Sequence, residues 1–325
     1  MIWLVGNSDD PKHDIHIFAL KEACARAGIP VSFVGPGCDL QRMMQSIDSD
    51  DLIVWRYKMT PPTFPQSMDL VAHRFAALEW REALFGACAS TGARVLNGYD
   101  VITVAGCKPL QLRVAAACGF TVPRHAILHD KDQITQFVSN LDPARTIRKP
   151  IAGYDIPDPA DLQQIVLLSP TLVNAAEIKA IAPEQFSACP TMFQEYVEKQ
   201  YELRVVAVGG SIIAYKIESQ LNDSTKIDWR MGILRDMYSI TDINDDLKSN
   251  IFSYLERFGL FSGVFDLVVK PDNSTVFLEC NPNGQWMWLD YLKPMHIADT
   301  FIAEIINFSK KKWKDHGFHY KKFDY

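Results

Sequence analysis

The most restrictive feature of the sequence is a hairpin-like segment near its end, residues 263–286 (GVFDLVVKPDNSTVFLECNPNGQW). Two runs rich in valine, phenylalanine and leucine flank a Pro-Asp-Asn turn at 271–273, which is typical of two antiparallel strands. Asp266 and Glu279 lie at similar distances from this turn, so we expect them to be cross-strand neighbours. Asn281 follows Glu279 by two residues and therefore shares its face of the strand. The hairpin thus directs two acids and an amide to one side.

Oxygen ligands of this kind suit Mg²⁺, which takes few protein ligands and completes its shell with water and phosphate oxygens. Without a cation, two adjacent carboxylates in an apolar strand repel each other and resist burial. The alternative interpretation is an exposed end of the sheet where the acids are solvated. Cys280 lies between the two proposed ligands, and strand alternation points it to the opposite face, into the core.

The composition excludes several classes of protein. The chain has 325 residues, 48% of them hydrophobic, and a net charge of -6, which predicts a globular protein of two or three modules without affinity for nucleic acid. It contains no apolar run long enough for a membrane span, and its start lacks the basic region of a signal peptide. Seven cysteines are scattered without a Cys-x-x-Cys pair, which favours reduced thiols and a cytoplasmic location.

Strands and helices alternate along the first hundred residues, which predicts an α/β module with a mostly parallel sheet over residues 1–99. Its predicted strands cover residues 2–6, 30–35, 51–57 and 93–97, and its predicted helices cover 14–28 and 70–91. The proline-rich residues 59–66 are predicted to form a loop.

The rest of the chain reads as α+β. A helix is predicted at 108–119 and another at 243–259, between hairpins at 202–219 and 263–281. Consecutive hairpins around a helix indicate an antiparallel sheet. The basic tail, residues 309–325, is interpreted as a solvated end, with a partner-binding arm as the alternative.

Positive side chains upstream offer counter-charges for the acids. Lys108 begins a predicted helix, and Lys149 ends an apolar strand just before a Pro-Ile-Ala-Gly loop. Arg204 and Lys216 flank the Gly-Gly turn of the first hairpin, and we expect them to share a face. Each is also compatible with an ordinary surface charge. Together with the acids, they point to a magnesium-bound polyphosphate, which needs cations around it.

These segments, taken in order, resemble those of the ATP-grasp ligases: IRKPIAG (147–153), MFQEYVEKQYELRVVAVGGSIIAYKIES (192–219) and the last hairpin. Over nearly its whole length the chain is similar to one subgroup, the graspetide (microviridin-type) peptide macrocyclases. Residues 79–128, DWR (228–230) and NPNGQWMWLD (281–290) carry that closer resemblance. It implies an ATP-grasp fold with an N-terminal pre-ATP-grasp α/β domain (1–99), a central lobe (100–190) and a C-terminal lobe with the metal site (191–325).

The resemblance also implies roles for individual residues. The residues expected to hold ATP, through its phosphates, the adenine edge at a hinge and the ribose, are Lys108, Lys149, Gln194, Glu195, Tyr196, Val197 and Glu202. The residues expected to act on the transferred phosphate and the acyl-phosphate are Arg204, Lys216 and Arg230. The residues expected to bind Mg²⁺ are Asp266, Glu279 and Asn281.

The implied reaction is ATP-dependent activation of a carboxylate as an acyl-phosphate, followed by attack of a hydroxyl or amine. In a macrocyclase both groups belong to side chains of one ribosomally made precursor peptide, with a leader and a core, and the product is an ester or amide crosslink. Two alternatives stay open: a ligase that joins a free amino acid or small amine to a carboxylate, and a nucleotide-binding module without catalysis. The resemblance also allows a homodimer.

Overall fold

The computed structural model describes residues 1–58, 69–141, 145–152, 155–157, 165–167, 170–232 and 235–310. The predicted loop at 59–66, most of the basic tail and much of the loop after Lys149 lie outside these ranges. Within them, no helix is both long and apolar enough to cross a bilayer.

The N-terminal module is built on a parallel sheet, as predicted. The four strands have the order β2-β1-β3-β4 and all run in the same direction. They are β1 (Ile2–Val5), β2 (Val31–Val34), β3 (Leu52–Trp55) and β4 (Arg94–Leu96). The connecting helices are α1 (Ile15–Arg26), α2 (Leu40–Ser46) and α3 (Leu70–Ser90). Each helix begins with an aspartate whose carboxylate accepts a bond from a first-turn amide, so the local sequence sets each start.

A second sheet, of order β5-β10-β6-β9, forms the central lobe. Its strands are β5 (His125–Leu128), β6 (Thr146–Lys149), β9 (Thr171–Val173) and β10 (Thr191–Glu195), and a separate ribbon contains β7 (Asp155–Pro157) and β8 (Ile165–Leu167). Two helices precede the central lobe along the chain, α4 (Tyr99–Ala105) and α5 (Lys108–Ala117). Three helices belong to the lobe: α6 (Lys131–Asn140), α7 (Ala175–Ala180) and α8 (Pro183–Ser187).

The predicted boundary at residue 190 is wrong for this strand. We assigned residues from 191 onwards to the C-terminal lobe, whereas β10 pairs with both β5 and β6 and is an inner strand of the central sheet. The chain leaves the central sheet only after Glu195.

The C-terminal lobe contains the predicted antiparallel sheet, of order β13-β12-β11-β14-β15. Its strands are β11 (Tyr201–Val208), β12 (Ser211–Ile217), β13 (Tyr238–Thr241), β14 (Ser262–Val269) and β15 (Thr275–Asn281). Its helices are α9 (Asp245–Phe258), α10 (Met287–Leu292) and α11 (Ile297–Lys310). We refer to this sheet as the large sheet.

Both faces of the large sheet are buried, which explains why β14 reads as one apolar run interrupted by Asp266. One face packs with α1 and α11 in a core shared with the N-terminal module. The opposite face packs on α5 and α9 and contains Phe265, Phe277 and Cys280, so the predicted inward direction of Cys280 is confirmed.

We expect Phe277→Ala to lower the free energy of unfolding by about 3–5 kcal/mol, since a fully buried aromatic side chain is removed. Phe277 is 0% exposed, and its ring lies 5.3 Å from that of Phe120 and 5.5 Å from that of Tyr254. Urea unfolding measures the change. Phe75→Ala is the matched control, because Phe75 is 63% exposed and its loss should alter stability by no more than about 0.5 kcal/mol. Equal effects of the two variants would contradict the packing described above.

Candidate active site

A β-bulge in β15 brings the two acids together. Asp266 pairs directly with Glu279, while the next residue of β14, Leu267, pairs with Phe277, so Leu278 is an extra residue. The extra residue allows Phe277 to enter the core while Glu279, two positions later, faces the opposite side. The predicted cross-strand pairing of Asp266 and Glu279 is therefore confirmed. Asn281 lies on the same face as Glu279, opposite Val264.

Arg204 of β11 supplies the nearest positive charge. It pairs with Asp266 across the sheet, and its Nη1 lies 2.7 and 2.6 Å from the two carboxylate oxygens of Asp266. Its Nη2 donates to the backbone oxygen of Gln285 at 3.2 Å. Burial nevertheless raises the pKa of Asp266, and the neighbouring charge of Glu279 raises it further, although Arg204 opposes both.

Two lysines approach from the central lobe. Lys149 ends β6, and Lys108 is the first residue of α5; both side chains are buried. Lys108 Nζ donates to the backbone oxygen of Pro150 at 2.8 Å, which joins α5 to the loop after β6. Burial lowers the pKa of Lys149 to about 8; the charges of Lys108 and Arg230 add to this effect, and Glu279 opposes it.

Arg230 completes the positive set from the loop between β12 and β13. Its Nε donates to Asp228 at 2.8 Å, and its Nη1 lies 3.9 Å from Glu279 Oε1. Burial by itself would lower the pKa of Arg230, but the bond to Asp228 and the nearby carboxylates outweigh it and raise the pKa. The loop is thereby fixed next to the acids.

The electrostatic balance of this group favours an anion. Burial would raise the pKa of Glu279, yet the surrounding cations, Lys149 foremost, hold it below its usual value, so the carboxylate is charged. The group comprises three carboxylates (Asp228, Asp266 and Glu279) and four cations (Lys108, Lys149, Arg204 and Arg230). Four positive charges against three negative ones leave an excess that a phosphate-bearing ligand would offset.

A cleft runs from this charge cluster to the end of β10. Its cavity volume is about 70 Å³, which is smaller than that of most small-molecule sites. The predicted hinge residues line it: Gln194, Glu195, Tyr196 and Val197. Gln194 Oε1 is buried without a hydrogen-bond partner among the described residues. An unpaired buried acceptor is costly, so this wall is suited to a polar ligand.

Glu202 also lines the cleft, but its carboxylate already has partners. Lys199 Nζ lies 3.0 Å from Glu202 Oε1 and donates to the backbone oxygen of Ile227 at 2.8 Å. Burial raises the pKa of Glu202, while Lys199 and a hydrogen bond with Ser219 oppose that rise. This buried pair ties the segment after the hinge to the loop that carries Arg230.

Lys216 is the one predicted site residue that the structure places elsewhere. Its register partner on β11 is Leu203, whereas Arg204 pairs with Tyr215, so the two basic residues lie on opposite faces of the sheet. Lys216 instead pairs with Glu218 and lies 4.3 Å from the centre of the Tyr201 ring. The prediction that Arg204 and Lys216 share a face is wrong, because a one-residue shift in register reverses a side chain's face.

Two residues of the site were not predicted, Asp228 and Lys199. Asp228 precedes Arg230 by two residues, and Lys199 precedes Glu202 by three. An acid and a base so close in an irregular segment are a signal for a local ion pair. The Lys199–Glu202 pair is buried, and in the second pair Asp228 is buried while Arg230 is partly exposed. Trp229, between Asp228 and Arg230, is also buried and stacks on Trp288.

The acids fit a magnesium ion by their chemistry. Within the described residues, no three His, Cys, Asp or Glu side chains gather as a metal centre. The donor set is instead two carboxylates and one amide on a single face, all hard oxygen ligands. Asn281 Oδ1 accepts from the backbone N–H of Asn283 at 3.1 Å, which orients the amide at the end of the strand.

Comparison with known proteins identifies the architecture. No protein-family model matches the chain, and no curated protein sequence matches it. Solved structures do match over almost its full length. One is the macrocyclase MdnC from Microcystis aeruginosa MRC, bound with precursor peptide MdnA: the TM-score is 0.78 and the identity 22%, over 95% of this chain and 100% of that one. The chain has the ATP-grasp fold.

Two further structures agree with this result. The RiPP-associated ATP-grasp ligase of Chryseobacterium gregarium, in complex with ADP and a leader and core peptide, has a TM-score of 0.79 and 21% identity, over 94% of this chain and 96% of that one. The ATP-grasp ligase PsnB, complexed with a phosphomimetic variant of its minimal precursor, Mg and ADP, has a TM-score of 0.68 and 20% identity, over 93% and 98%. The predicted ATP-grasp fold is confirmed.

We expect Arg204→Met to lower the free energy of unfolding by about 3–5 kcal/mol, because it leaves the buried Asp266 carboxylate without its counter-ion. Adding Asp266→Asn should recover most of that loss. Arg26→Met is the control, since the Arg26–Asp299 pair lies at the surface and should contribute no more than about 1 kcal/mol. Urea unfolding of the four proteins measures these effects. A single Arg204 variant as stable as the control would exclude a strong buried pair.

The lowered pKa of Lys149 predicts a pH dependence of stability. Below about pH 8 the Lys149 amine is protonated in both the folded and the unfolded protein, so burying its charge lowers the free energy of unfolding by the full amount. Between about 8 and 10.5 the folded protein releases this proton before the unfolded chain does, so stability from this group rises with pH, by up to about 3 kcal/mol. Lys149→Met should remove that increment from the wild-type curve. Parallel curves for the two proteins between pH 8 and 10 would show that Lys149 titrates normally.

Proposed function

We propose that this chain is an ATP-dependent ligase that forms side-chain ester or amide crosslinks in a ribosomally made precursor peptide. The observation that carries the proposal is the charge cluster at the end of the cleft. Four cations from the central lobe, the large sheet and the Arg230 loop face three carboxylates there. Enzymes that transfer phosphoryl groups rely on such positioned charges, because two anions must approach each other.

In this proposal ATP binds along the cleft, which would have to widen from its volume of about 70 Å³ to admit the nucleotide. The backbone of residues 194–197 would contact the adenine edge. Glu202, whose carboxylate is held by Lys199, would accept hydrogen bonds from the ribose hydroxyls. Lys108 and Lys149 would contact the phosphates from the central lobe. Arg204 would lie near the transferred phosphate, and Arg230, oriented by Asp228, would hold the acyl-phosphate. Lys216 has no part in this scheme.

Magnesium is the second expected cofactor, and it would be held by Asp266, Glu279 and Asn281. When bound, it would neutralise phosphate charge and align the oxygens for transfer. Glu279 is already charged in the protein alone, as a metal ligand must be.

The proposed reaction has two steps. A substrate carboxylate attacks the terminal phosphorus of ATP, which gives an acyl-phosphate and releases ADP. A hydroxyl or amine of the same peptide then attacks the acyl carbon, inorganic phosphate leaves, and the nucleophile loses one proton. Each crosslink removes the mass of one water from the peptide. Since both groups belong to one chain, the enzyme mainly orients them and excludes water.

Support for a peptide substrate comes from proteins of the same fold. MdnC is bound with a precursor peptide, and the Chryseobacterium gregarium ligase is in complex with a leader and a core peptide. Their similarity extends over at least 94% of this chain, including the N-terminal module.

The proposal includes a cytoplasmic enzyme, consistent with seven free cysteines, and a homodimer, which light scattering would test.

The deciding experiment incubates the purified protein with ATP, Mg²⁺ and a candidate precursor encoded beside its gene. Mass spectrometry should show loss of one water mass for each crosslink, together with release of ADP. Parallel reactions contain mixtures of free amino acids in place of the peptide. Phosphate release only with amino acids would favour the small-amine ligase, and ATP binding without turnover would favour a non-catalytic module. Either result would refute the macrocyclase proposal.

We expect Glu279→Gln to lower turnover by about 100-fold or more, because it removes a charged magnesium ligand from the proposed site. The fold should persist, since only one charge is lost. Glu256→Gln is the control, because Glu256 lies exposed on α9 and should leave turnover unchanged. ADP release measures activity, and circular dichroism checks the fold. Wild-type turnover by the Glu279 variant would refute its assignment as a ligand.

A further inference from the structure

Within the described part of the chain, the outer edge of β15 pairs with no strand beyond a single bridge between Val276 and Thr121, yet its backbone groups at Cys280 are paired. Gln111 Nε2 donates to the Cys280 backbone oxygen at 2.7 Å, and the Cys280 N–H donates to Gln111 Oε1 at 2.9 Å. The same Nε2 also donates to the backbone oxygen of Ala105 at 2.7 Å. One side-chain amide therefore replaces the partner strand at the residue between Glu279 and Asn281.

Gln111 connects this strand to the phosphate side of the site. It lies three residues after Lys108 on α5, so both side chains project from neighbouring turns of the same helix. Gln111 is only 3% exposed and has no access to a ligand in the cleft. Its bonds instead fix the position of β15 relative to Lys108.

A second amide holds the same strand beyond its last residue. Asn97 follows β4 in the left-handed region, with φ of 50°, and is buried. Its Nδ2 donates to the backbone oxygen of Pro282 at 2.7 Å and to that of Ser262 at 2.8 Å. Its Oδ1 accepts from the N–H groups of Phe261 and Ser262 at 2.8 and 3.1 Å. Asn97 thus joins the start of β14 to the residue after Asn281.

We propose that Gln111 and Asn97 are positioning residues that set the metal-binding geometry of β15. Gln111 holds the backbone at Cys280, between Glu279 and Asn281, and Asn97 holds it at Pro282, just after Asn281. Neither amide touches the cleft, so each acts only through the strand. Groups that orient metal ligands in this way typically change metal affinity by 10- to 100-fold when they are removed. The inference rests on the proposed function, because it takes Glu279 and Asn281 as magnesium ligands.

The test measures ADP binding by calorimetry, once with Mg²⁺ and once with EDTA, for the intact protein and three variants. Gln111→Leu keeps the size of the side chain and removes all three bonds. Asn97→Asp tolerates the same backbone conformation and keeps the acceptor, but it loses all three donor bonds of Nδ2, to Pro282 O and to the backbone oxygen and Oγ of Ser262. Asn244→Ala is the control for lost stability, because Asn244 only caps α9 of the same lobe, through a bond from the Leu247 N–H.

For the wild type, Mg²⁺ should strengthen ADP binding. In Gln111→Leu and Asn97→Asp that enhancement should fall about 10-fold, with the affinity for metal-free ADP unchanged, while Asn244→Ala keeps the full enhancement. A structural role alone would weaken both affinities or neither. Wild-type enhancement in both test variants, or an equal loss in the control, would overturn the inference.

Thermal unfolding shows whether each variant is folded at the assay temperature. If Gln111→Leu is not folded there, Asn97→Asp decides the result by the same criterion. If the wild type binds no ADP in either condition, the proposed function fails, and this inference fails with it. If instead the wild type binds ADP more tightly with Mg²⁺ and both variants do so equally, only this inference fails and the proposed function stands.

Discussion

The carboxylates of Asp266, which is buried, and Glu279, which is half-buried, set the main constraint on this structure. Asp266 and Glu279 lie directly opposite each other on adjacent strands, an arrangement that burial and mutual repulsion both disfavour. Their counter-charges come from different parts of the molecule: Arg204 from the same sheet, Lys149 and Lys108 from the other side of the cleft, and Arg230 from a loop. The two sheets must therefore meet at this point, because neither could bury its own charges alone.

Local sequence was sufficient to predict most strands and helices near the site, but not their register. The Gly209-Gly210 turn pairs Val208 with Ser211, so Arg204 opposes Tyr215 and Lys216 falls one residue out of step. In the second hairpin the extra residue Leu278 shifts the register by one position, so that Glu279 lies opposite Asp266 and faces the site. No composition or periodicity marks that bulge. It results from packing Phe277 and Cys280 in the same core, which is a property of the tertiary structure.

Long-range contacts join the N-terminal module to the loop after β15. The carboxyl edge of a parallel sheet is a common ligand crevice, at the point where the strand order reverses. Here the loop after β15 occupies that edge: Arg56 Nη2 donates to the Gly284 backbone oxygen at 3.0 Å, and His16 Nε2 accepts from the Trp286 N–H at 3.0 Å. Burial lowers the pKa of His16 to about 2, so its ring is neutral and able to accept. The N-terminal module thus supports the loop instead of binding a ligand at this edge.

The charge cluster also explains why the site should respond to a nucleotide. Lys149 is buried and has a lowered pKa, which means that its charge is not fully compensated by Glu279. Asp266 is engaged by Arg204 through both oxygens, so a metal at this carboxylate would have to share it with the guanidinium. A magnesium-bound triphosphate would bring anionic oxygens to Lys149 and additional positive charge to Asp266 and Glu279. The same contacts that bind the nucleotide would then also offset the unfavourable burial of these charges.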